Sequence, residues 1–309
     1  MVSWPAICGI NIPKTTSPAR RQGPDLSLPM LIITLLTLLL ALAPGVTHAQ
    51  TCKCGYKDSS GSVWREAIIS TFTQAGGALA ALNTDWIIST DTLSQSSPAT
   101  ANVKYITANV MEFNDALGLK ASAYDNSGSV KCAEIFTKRS DIKYGSFRMQ
   151  AQIPSIPGAV FGFFTYINDA QEQDIEFLSA ETDYYQRVHY TNQPGSTSGA
   201  ALNVVIPGAD FTTFGTHQID WLPSKTVYSY AGSGLTSTKS ITKNVPTTPS
   251  EFVLNVWSNG DPNWSRGPPI ADAIATVQWV HLYFNSTTLS EAAFNSVCAA
   301  AGHPAPCNV

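Results

Sequence analysis

Short segments in which apolar and polar residues alternate recur through most of this 309-residue chain. They include residues 145–153, 216–221 and 277–284, and clusters of turn-forming Asn, Gly and Pro residues separate them. A period of two residues is that of a strand with one buried face, and short strands at regular spacing are typical of sandwiches and jelly rolls. The pattern therefore predicts an all-β domain, and a capping sequence at residues 288–294 predicts one short helix near the C-terminus.

The N-terminal region has a different pattern. Residues 31–42 form an apolar run followed by small residues, which fits a signal-peptide core and is short for a membrane span of ~20 residues. We therefore expect residues 1–49 to be a leader that contains a signal peptide, with translation starting at Met1 or at Met30. Residues 50–309 are then a single secreted, extracellular domain without stable membrane association after leader cleavage. A membrane anchor is the alternative.

Charge and glycosylation sequons bear on partners and compartment. The formal net charge is −4 and only 13% of the residues are charged, so we expect no nucleic-acid partner. Asn-X-Ser/Thr sequons at Asn263 and Asn285 are candidate glycosylation sites and agree with export. A monomer is the default expectation, because no sequence feature indicates an oligomer.

Five cysteines follow the predicted leader, and this odd number leaves their pairing open. Cys298 and Cys307 flank a short Pro-containing segment, so we expect them to pair with each other. One of Cys52 and Cys54 is then a candidate partner for Cys132. The Cys52–Cys54 spacing lacks a second Cys/His pair at metal-ligand spacing, so we expect no zinc site.

The strongest functional signal is a row of carboxylates at alternate positions, Glu172, Asp174 and Glu176. On a strand all three project from one face, where their like charges repel, so a strand selected for stability alone would avoid them. Cα atoms four residues apart are ~13 Å apart, and two Glu side chains leaning together would approach the roughly 5–5.5 Å separation of a retaining glycosidase. Repulsion would also raise the pKa of one carboxyl and keep it protonated as an acid. A solvated acidic face is the alternative.

Aromatic residues lie on both sides of the acidic row in the sequence. Phe164 and Tyr166 precede it, His189 and Tyr190 follow it, and Trp257 comes later. Rings beside carboxylates suit a sugar-binding cleft, because pyranose rings present apolar C–H faces. Aromatic residues on strands are also typical of a buried core.

The segments 158–166 and 172–178 together closely resemble glycoside hydrolase family 16, in particular its β-1,3-1,4-glucanases, the lichenases. Further matches follow in the family's order at residues 143–145, 190–192, 214–221, 245–249 and 254–257. The resemblance implies a concanavalin A-like β-jelly-roll sandwich of two curved antiparallel sheets with a concave substrate cleft. It also implies retaining endo-hydrolysis of a β-glucan.

Residue by residue, the resemblance implies that Glu172 is the nucleophile, Glu176 the acid/base and Asp174 a carboxylate that supports both. Together with the aromatic residues before the acidic row, it gives a set of expected substrate contacts: Phe164, Tyr166, His189, Tyr190, Asn192, Asn255 and Trp257.

Departures from the family pattern affect substrate and metal binding. In lichenases, an acidic and a basic residue that follow the Tyr-Gly pair bind sugar. The corresponding residues after Tyr144–Gly145 are Arg148 and Gln150 here, which leaves the linkage preference open. Gln278 stands where some members have a calcium-binding aspartate, so we expect no metal. The reaction that the resemblance implies needs no cofactor.

Three functions fit the sequence. The first is a secreted endo-β-glucanase that hydrolyses β-1,3-1,4- or β-1,3-glucan by double displacement, with the polysaccharide as its partner. The second is a cell-wall transglycosylase of the same family, in which a sugar hydroxyl replaces water. The third is a non-catalytic glycan-binding protein on the same fold.

Overall fold

The computed structural model describes residues 52–73 and 77–309. The predicted leader, residues 1–49, lies outside the described residues. Within the described ranges, the helices are too short or too polar to cross a membrane.

The described residues form mostly strands. The first half contains β1 (Tyr56–Lys57), β2 (Val63–Trp64), β3 (Glu66–Thr71), β4 (Trp86–Ile88), β5 (Thr92–Leu93), β6 (Asn102–Tyr105), β7 (Val110–Phe113), β8 (Ala116–Ala121), β9 (Ser129–Thr137) and β10 (Ile142–Gln152). The second half contains β11 (Val160–Asn168), β12 (Gln171–Leu178), β13 (Arg187–Asn192), β14 (Ala201–Val205), β15 (Gly215–Leu222), β16 (Lys225–Gly232), β17 (Leu235–Ile241), β18 (Glu251–Trp257), β19 (Ala273–Ser286) and β20 (Cys307–Asn308). Two α-helices, α1 (Ala78–Asp85) and α2 (Glu291–Ala300), and a 3-10 turn (Thr107–Asn109) are the helical elements of the described residues.

Two large sheets pack face to face. A nine-stranded sheet has the order β14-β13-β12-β11-β18-β9-β6-β5, with β4 also paired to β9. An eight-stranded sheet has the order β17-β16-β15-β10-β19-β8-β7, with β3 also paired to β19. The pairs are antiparallel apart from β6 with β9 in the nine-stranded sheet. The predicted all-β sandwich is confirmed.

Aromatic side chains fill the space between the two sheets. Phe252 of the nine-stranded sheet lies with its ring centroid 5.1 Å from that of Phe147, which belongs to the eight-stranded sheet. The ring of Phe163 packs edge-on against Phe252 at 4.5 Å. Each buried aromatic side chain contributes a few kcal/mol, so alternate positions of both sheets are committed to this core.

The alternating segments form strands where the sequence predicts them, as β10, β15 and β19. The predicted C-terminal helix is α2, and the Ser290 side chain caps it by accepting a hydrogen bond from the Ala293 backbone N–H. Helix α1 was not predicted from the sequence, because it is short and has no capping side chain at its N-terminus.

A small third sheet joins the two ends of the domain. Its order is β2-β1-β20, and β20 pairs in parallel with β1. Disulfides link Cys52 to Cys307 and Cys54 to Cys298. The predicted Cys298–Cys307 pair is therefore wrong, because the parallel pairing of β20 with β1 brings Cys307 to the N-terminal cysteines, and Cys298 on α2 bonds to Cys54. Cys132 is buried and is the unpaired cysteine of the described part of the chain, so its predicted bond is wrong too.

Candidate active site

Strand β12 carries the three carboxylates on one face, as the two-residue period predicts. Glu172 is paired with Tyr166, Asp174 with Phe164 and Glu176 with Gly162, all on β11. Directly paired residues of antiparallel strands point to the same side, so these side chains share one surface of the nine-stranded sheet. We call this surface the cleft face.

The opposite face of β12 points into the sandwich. Ile175 and Phe177 are fully buried in the main hydrophobic cluster. Gln173, the polar residue between them and Glu172, is also fully buried, and its Oε1 accepts a hydrogen bond of 2.8 Å from the Thr226 hydroxyl. The neighbouring sheet therefore supplies a partner for the polar residue on this core face.

Burial raises the pKa of all three carboxyls on the cleft face. For Glu172 the rise is large, because its carboxyl is desolvated and stands beside Asp174, with which it shares a hydrogen bond. The pKa of Asp174 is raised to about 7 by burial, although hydrogen bonds from Glu172 and Gln193 oppose the rise. The Gln193 amide donates to Asp174 Oδ2 at 3.1 Å. A hydrogen bond between two carboxyls requires a proton, so Glu172 and Asp174 titrate as a pair.

Glu176 has a different environment. Burial and the charge of Asp174 raise its pKa to about 8, while a hydrogen bond from Trp264 acts in the opposite direction. The indole Nε1 of Trp264 lies 3.4 Å from Glu176 Oε1. His189 is paired with Glu176 across β12 and β13, and its ring meets Trp264 edge-on at 5.0 Å. At neutral pH, Glu176 is therefore a carboxylic acid with a proton to donate.

A second polar group lies on the cleft face two strands away from β12. Asn255 Nδ2 donates to Glu134 Oε2 at 3.2 Å and reaches the Tyr105 hydroxyl at 3.4 Å. Asn255 Oδ1 is buried without a hydrogen-bond partner among the described residues. A Cβ on Gly162 would lie 2.6 Å from this oxygen, so the glycine leaves room for Asn255 beside Glu176. Burial raises the pKa of Glu134 to about 7.

Aromatic residues form an apolar part of the cleft face. Phe164 and Tyr166 pack with Val253 and Phe136 in a cluster separate from the main core. The Tyr166 hydroxyl donates to Asp169 Oδ1 at 3.1 Å. The structure thus brings Phe164, Tyr166, His189 and Asn255 of the predicted contacts to the carboxylate row.

Two predicted substrate contacts lie on the wrong face. Tyr190 is fully buried and stacks on Tyr228 with ring centroids 4.7 Å apart. Asn192 is also fully buried, accepts from the Tyr228 hydroxyl and donates to the Lys243 carbonyl oxygen. The prediction that both line the cleft is wrong, because alternate residues of β13 share a face and His189 already occupies the cleft face.

Trp257 packs into the main hydrophobic cluster, and the two positions that depart from the family pattern lie in the other sheet. Trp257 lies on the side of β18 that carries Asn255, but it is 7% exposed and belongs to the main hydrophobic cluster. Arg148 and Gln150 belong to β10 of the eight-stranded sheet, where they pair with Gln218 and Thr216. The interpretation of these two residues as altered sugar contacts is therefore wrong.

The two sequons differ in accessibility. Asn263 is exposed, so its side chain is accessible for attachment of a glycan. Asn285 is half-buried at the end of β19, and its Oδ1 accepts from the backbone N–H and Nε of Arg65.

Sequence reasoning missed several residues of the site. Glu134 and Gln193 lie on other strands or loops, and Trp264 was noticed only as part of a sequon. Because Trp264 lies in a loop, there was no signal in the sequence that its side chain points toward Glu176. Across the described residues, there is no group of three or more His, Cys, Asp and Glu side chains placed to hold a metal ion.

The sequence profile described as Glycosyl hydrolases family 16 matches residues 97–281, more than half of the chain. The chain belongs to glycosyl hydrolases family 16. The matched region contains all three carboxylates of the acidic row, together with Asn255 and Trp264.

Several beta-glucanases are similar to this family 16 member. It is 32% identical over 155 residues to one from Paenibacillus macerans, covering 48% of this chain and 61% of the relative. It is 29% identical over 165 residues to one from Paenibacillus polymyxa, covering 51% and 66%. The chain thus spans less than two thirds of the length of these relatives.

Solved structures share the fold. The beta-glucanase of Bacillus licheniformis superposes with a TM-score of 0.55 at 21% identity, covering 71% of this chain and 98% of that one. The apo Crh5 transglycosylase superposes with a TM-score of 0.51 at 18% identity, covering 71% and 85%. At such identities the likeness establishes the jelly-roll fold alone.

Proposed function

We propose that this protein is an endo-β-glucanase that hydrolyses β-1,3-1,4- or β-1,3-glucan by double displacement with retention. The observation that carries the proposal is the row of three buried carboxyls on one face of β12, where burial and mutual repulsion raise the pKa of Glu172 and Glu176. A surface selected for solubility would leave such side chains hydrated, with ordinary pKa values.

In the first displacement, Glu172 attacks the anomeric carbon and the glycosidic C–O bond breaks. The proton shared with Glu172 moves to Asp174, so the nucleophile reacts as a carboxylate. Glu176 gives its proton to the leaving oxygen, which departs as a sugar hydroxyl. The glycosyl–enzyme ester formed at Glu172 retains the sugar on the glycone side of the cleft.

In the second displacement, the Glu176 carboxylate removes a proton from water, and the water oxygen attacks the anomeric carbon. The ester bond breaks and Glu172 recovers its carboxylate. The raised pKa suits Glu176 to both steps, because it must give a proton and then take one back near neutral pH.

The rest of the cleft face supports binding of a neutral polysaccharide. Asn255 Oδ1 offers a buried acceptor for a sugar hydroxyl beside Glu176. Phe164 and Tyr166 offer apolar surface for the faces of pyranose rings. The substrate class rests on the relatives, since those from both Paenibacillus species are named beta-glucanases.

The test is release of reducing ends from barley mixed-linkage glucan and from laminarin by the protein from residue 50 onward. Glu172→Gln should abolish turnover with folding intact, because an amide cannot form the ester. Asp220→Asn is a matched control, since burial also raises the pKa of Asp220, in the eight-stranded sheet. Near-normal activity of Glu172→Gln would remove this mechanism. Glucan binding without turnover in the unaltered protein would favour a glycan-binding role.

A transglycosylase is the second candidate, because the indole of Trp264 stands beside Glu176, where an acceptor sugar would approach. A structural neighbour is named a Crh5 transglycosylase. Incubation with glucan and a fluorescently labelled oligosaccharide acceptor separates the two reactions. Labelled products longer than the acceptor would show transfer, whereas their absence alongside rising reducing ends would show hydrolysis.

Secretion is also part of the proposal. Two disulfides between the ends of the domain support an oxidising compartment. When the full chain is expressed in a eukaryotic secretory host, the protein in the culture medium should begin at residue 50 and carry a glycan at Asn263. Retention of residues 1–49 in the secreted protein would contradict the leader assignment.

A further inference from the structure

A buried Glu–His pair stands behind the proposed acid/base. His189 Nε2 lies 3.0 Å from Glu181 Oε2, and the two side chains are 8% and 9% exposed. Glu181 follows β12 in the chain, and His189 is the β13 residue paired with Glu176. The pair therefore joins the segment after β12 to the neighbouring strand β13, next to the carboxylate row.

Arginine side chains flank the Glu181 carboxylate. Arg187 Nε is 3.9 Å from its Oε2, and Arg266 Nη2 is 4.0 Å from its Oε1. A buried carboxylate is costly unless it has charged and hydrogen-bonding partners. Glu181 has such partners on two sides, so its position is fixed independently of any substrate.

The contact from this pair to the acid/base runs through Trp264. The His189 ring meets the Trp264 ring edge-on, at 5.0 Å and an interplanar angle of 67°. The indole Nε1 of Trp264 then lies 3.4 Å from Glu176 Oε1. Because that is beyond the usual length of an N–H···O hydrogen bond, its strength depends closely on the orientation of the indole.

We propose that Glu181 and His189 are a positioning pair: Glu181 fixes the ring of His189, and His189 holds the indole of Trp264 where its N–H donates to Glu176. The proposal rests on the proposed function, since it takes Glu176 as the acid/base. Neither residue of the pair needs to touch the substrate. His189, predicted as a substrate contact, acts here through Trp264.

Several charged or titratable groups face Glu176 besides this pair. Asp174 and Glu172 lie on its own strand, Glu134 lies two strands beyond Gly162 on the same face, and Arg187 and Arg266 lie behind Glu181. A substitution at position 181 could therefore act through charge or through position, and the two effects on Glu176 have opposite signs. Loss of a nearby negative charge lowers the pKa of Glu176, whereas loss of the indole hydrogen bond raises it.

The experiment is the pH profile of kcat/KM in Trp264→Phe, in Glu181→Gln and in the double variant. Trp264→Phe keeps a ring but removes the donor, so the alkaline limb should move up by about half to one pH unit. Glu181→Gln should move the limb in the same direction, and the double variant should show no further shift. Asp183→Asn is the matched control for charge, because Asp183 acts on His189 through charge and forms its ion pair with Arg187, whereas Glu181 bonds to the His189 ring, and its profile should match the unaltered protein.

Opposite outcomes would overturn the proposal. A downward shift in Glu181→Gln would mean that the residue acts through charge alone, and an unchanged limb would mean that it does not act on Glu176. Additive shifts in the double variant would mean that the pair acts independently of Trp264. If Glu181→Gln does not fold, His189→Asn tests the same contact with the same expected direction.

A second measurement does not depend on activity. Tryptophan fluorescence should change as Glu176 titrates near pH 8, and this component should be absent in Trp264→Phe and shifted to higher pH in Glu181→Gln. If the unaltered protein releases no reducing ends, the proposed function fails while this titration still tests the pair. If the protein is active and the titration of Glu181→Gln matches the unaltered protein, only the positioning pair fails.

Discussion

Among the described residues, two carboxyl groups accept a hydrogen bond from an indole N–H, and their pKa values move in opposite directions. We call the three-stranded sheet of β1, β2 and β20, with its two disulfides, the terminal region. There, Trp64 Nε1 donates to Asp58 Oδ2 at 2.8 Å, and the pKa of Asp58 is lowered. In the cleft, Trp264 Nε1 lies 3.4 Å from Glu176 Oε1, and the pKa of Glu176 is raised to about 8. The indole alone therefore does not decide the charge of its partner.

The difference lies in the other neighbours. Burial acts to raise the pKa of Asp58, but the Ser60 hydroxyl and the backbone N–H groups of Ser60 and Ser62 also donate to its carboxylate. Glu176 is buried beside Asp174, whose charge repels its own. One carboxylate is held ionised as part of a turn, whereas the other is held as an acid that can give up a proton.

The largest expected effect follows from exchanging each acid for its amide. Glu176→Gln should lower kcat/KM on barley glucan by about 10²–10⁴-fold, because general acid catalysis is lost. Asp58→Asn should leave kcat/KM unchanged and lower the free energy of unfolding by about 1–3 kcal/mol, because it weakens a buried charged acceptor. Steady-state kinetics and urea unfolding of both variants measure these effects. A large loss of activity in Asp58→Asn would break the distinction between the two regions.

The sequence predicts a site residue correctly where the two-residue period of one strand decides which face its side chain takes. Glu172, Asp174 and Glu176 are placed correctly because alternation along one strand is a local property. The same rule shows why Tyr190 could not join its neighbour His189 on the cleft face. Closeness to the acidic row in the sequence and family likeness placed both residues in the cleft, without regard to which face each side chain takes.

Contacts outside any one strand set the features that the sequence did not predict. The disulfides follow from the parallel pairing of β1 with β20, which joins distant parts of the chain. Trp264 lies in a loop whose shape depends on hydrogen bonds from the Ser265 hydroxyl to Asn259 Oδ1 and from the Asn263 N–H to Asp261 Oδ1. Neither arrangement leaves a periodic pattern in the sequence.

A smaller effect is expected from opening one covalent link in the terminal region. Cys54 and Cys298 are 244 residues apart in the sequence, but the Cys52–Cys307 bond closes nearly the same loop, so breaking the Cys54–Cys298 bond releases only the short segments between the two bonds in the unfolded chain. Replacing Cys54 and Cys298 with Ala should lower the free energy of unfolding by about 2–5 kcal/mol, while kcat/KM at 25 °C stays unchanged because the cleft face lies in another sheet. Replacing Cys52 and Cys307 is the matched control, with a similar separation of 255 residues. Loss of activity in a variant that is still folded would show that the two regions are coupled.

The smallest effect is the pH dependence of stability, which should have opposite signs in the two regions. The pKa of Glu176 in the folded state is raised from its ordinary value of 4.5 to about 8, so the folded protein binds more protons than the unfolded chain between pH 4.5 and about 8. Its contribution to stability therefore falls as pH rises through this window. Asp58 has a lowered pKa, so its contribution is present above pH 3.8 and is lost as pH falls through the folded-state pKa.

Urea unfolding between pH 3 and 9 measures both slopes. Glu176→Gln should make the decline between pH 4.5 and 8 shallower without removing it, because burial also raises the pKa of Glu172 and Asp174. Asp58→Asn should reduce the loss of stability below pH 3.8 and leave the alkaline decline as it is. If the two variants instead gave curves parallel to that of the unaltered protein, the indole-bonded carboxyls would have ordinary pKa values. Glu176 would then lack the retained proton on which its role as general acid depends.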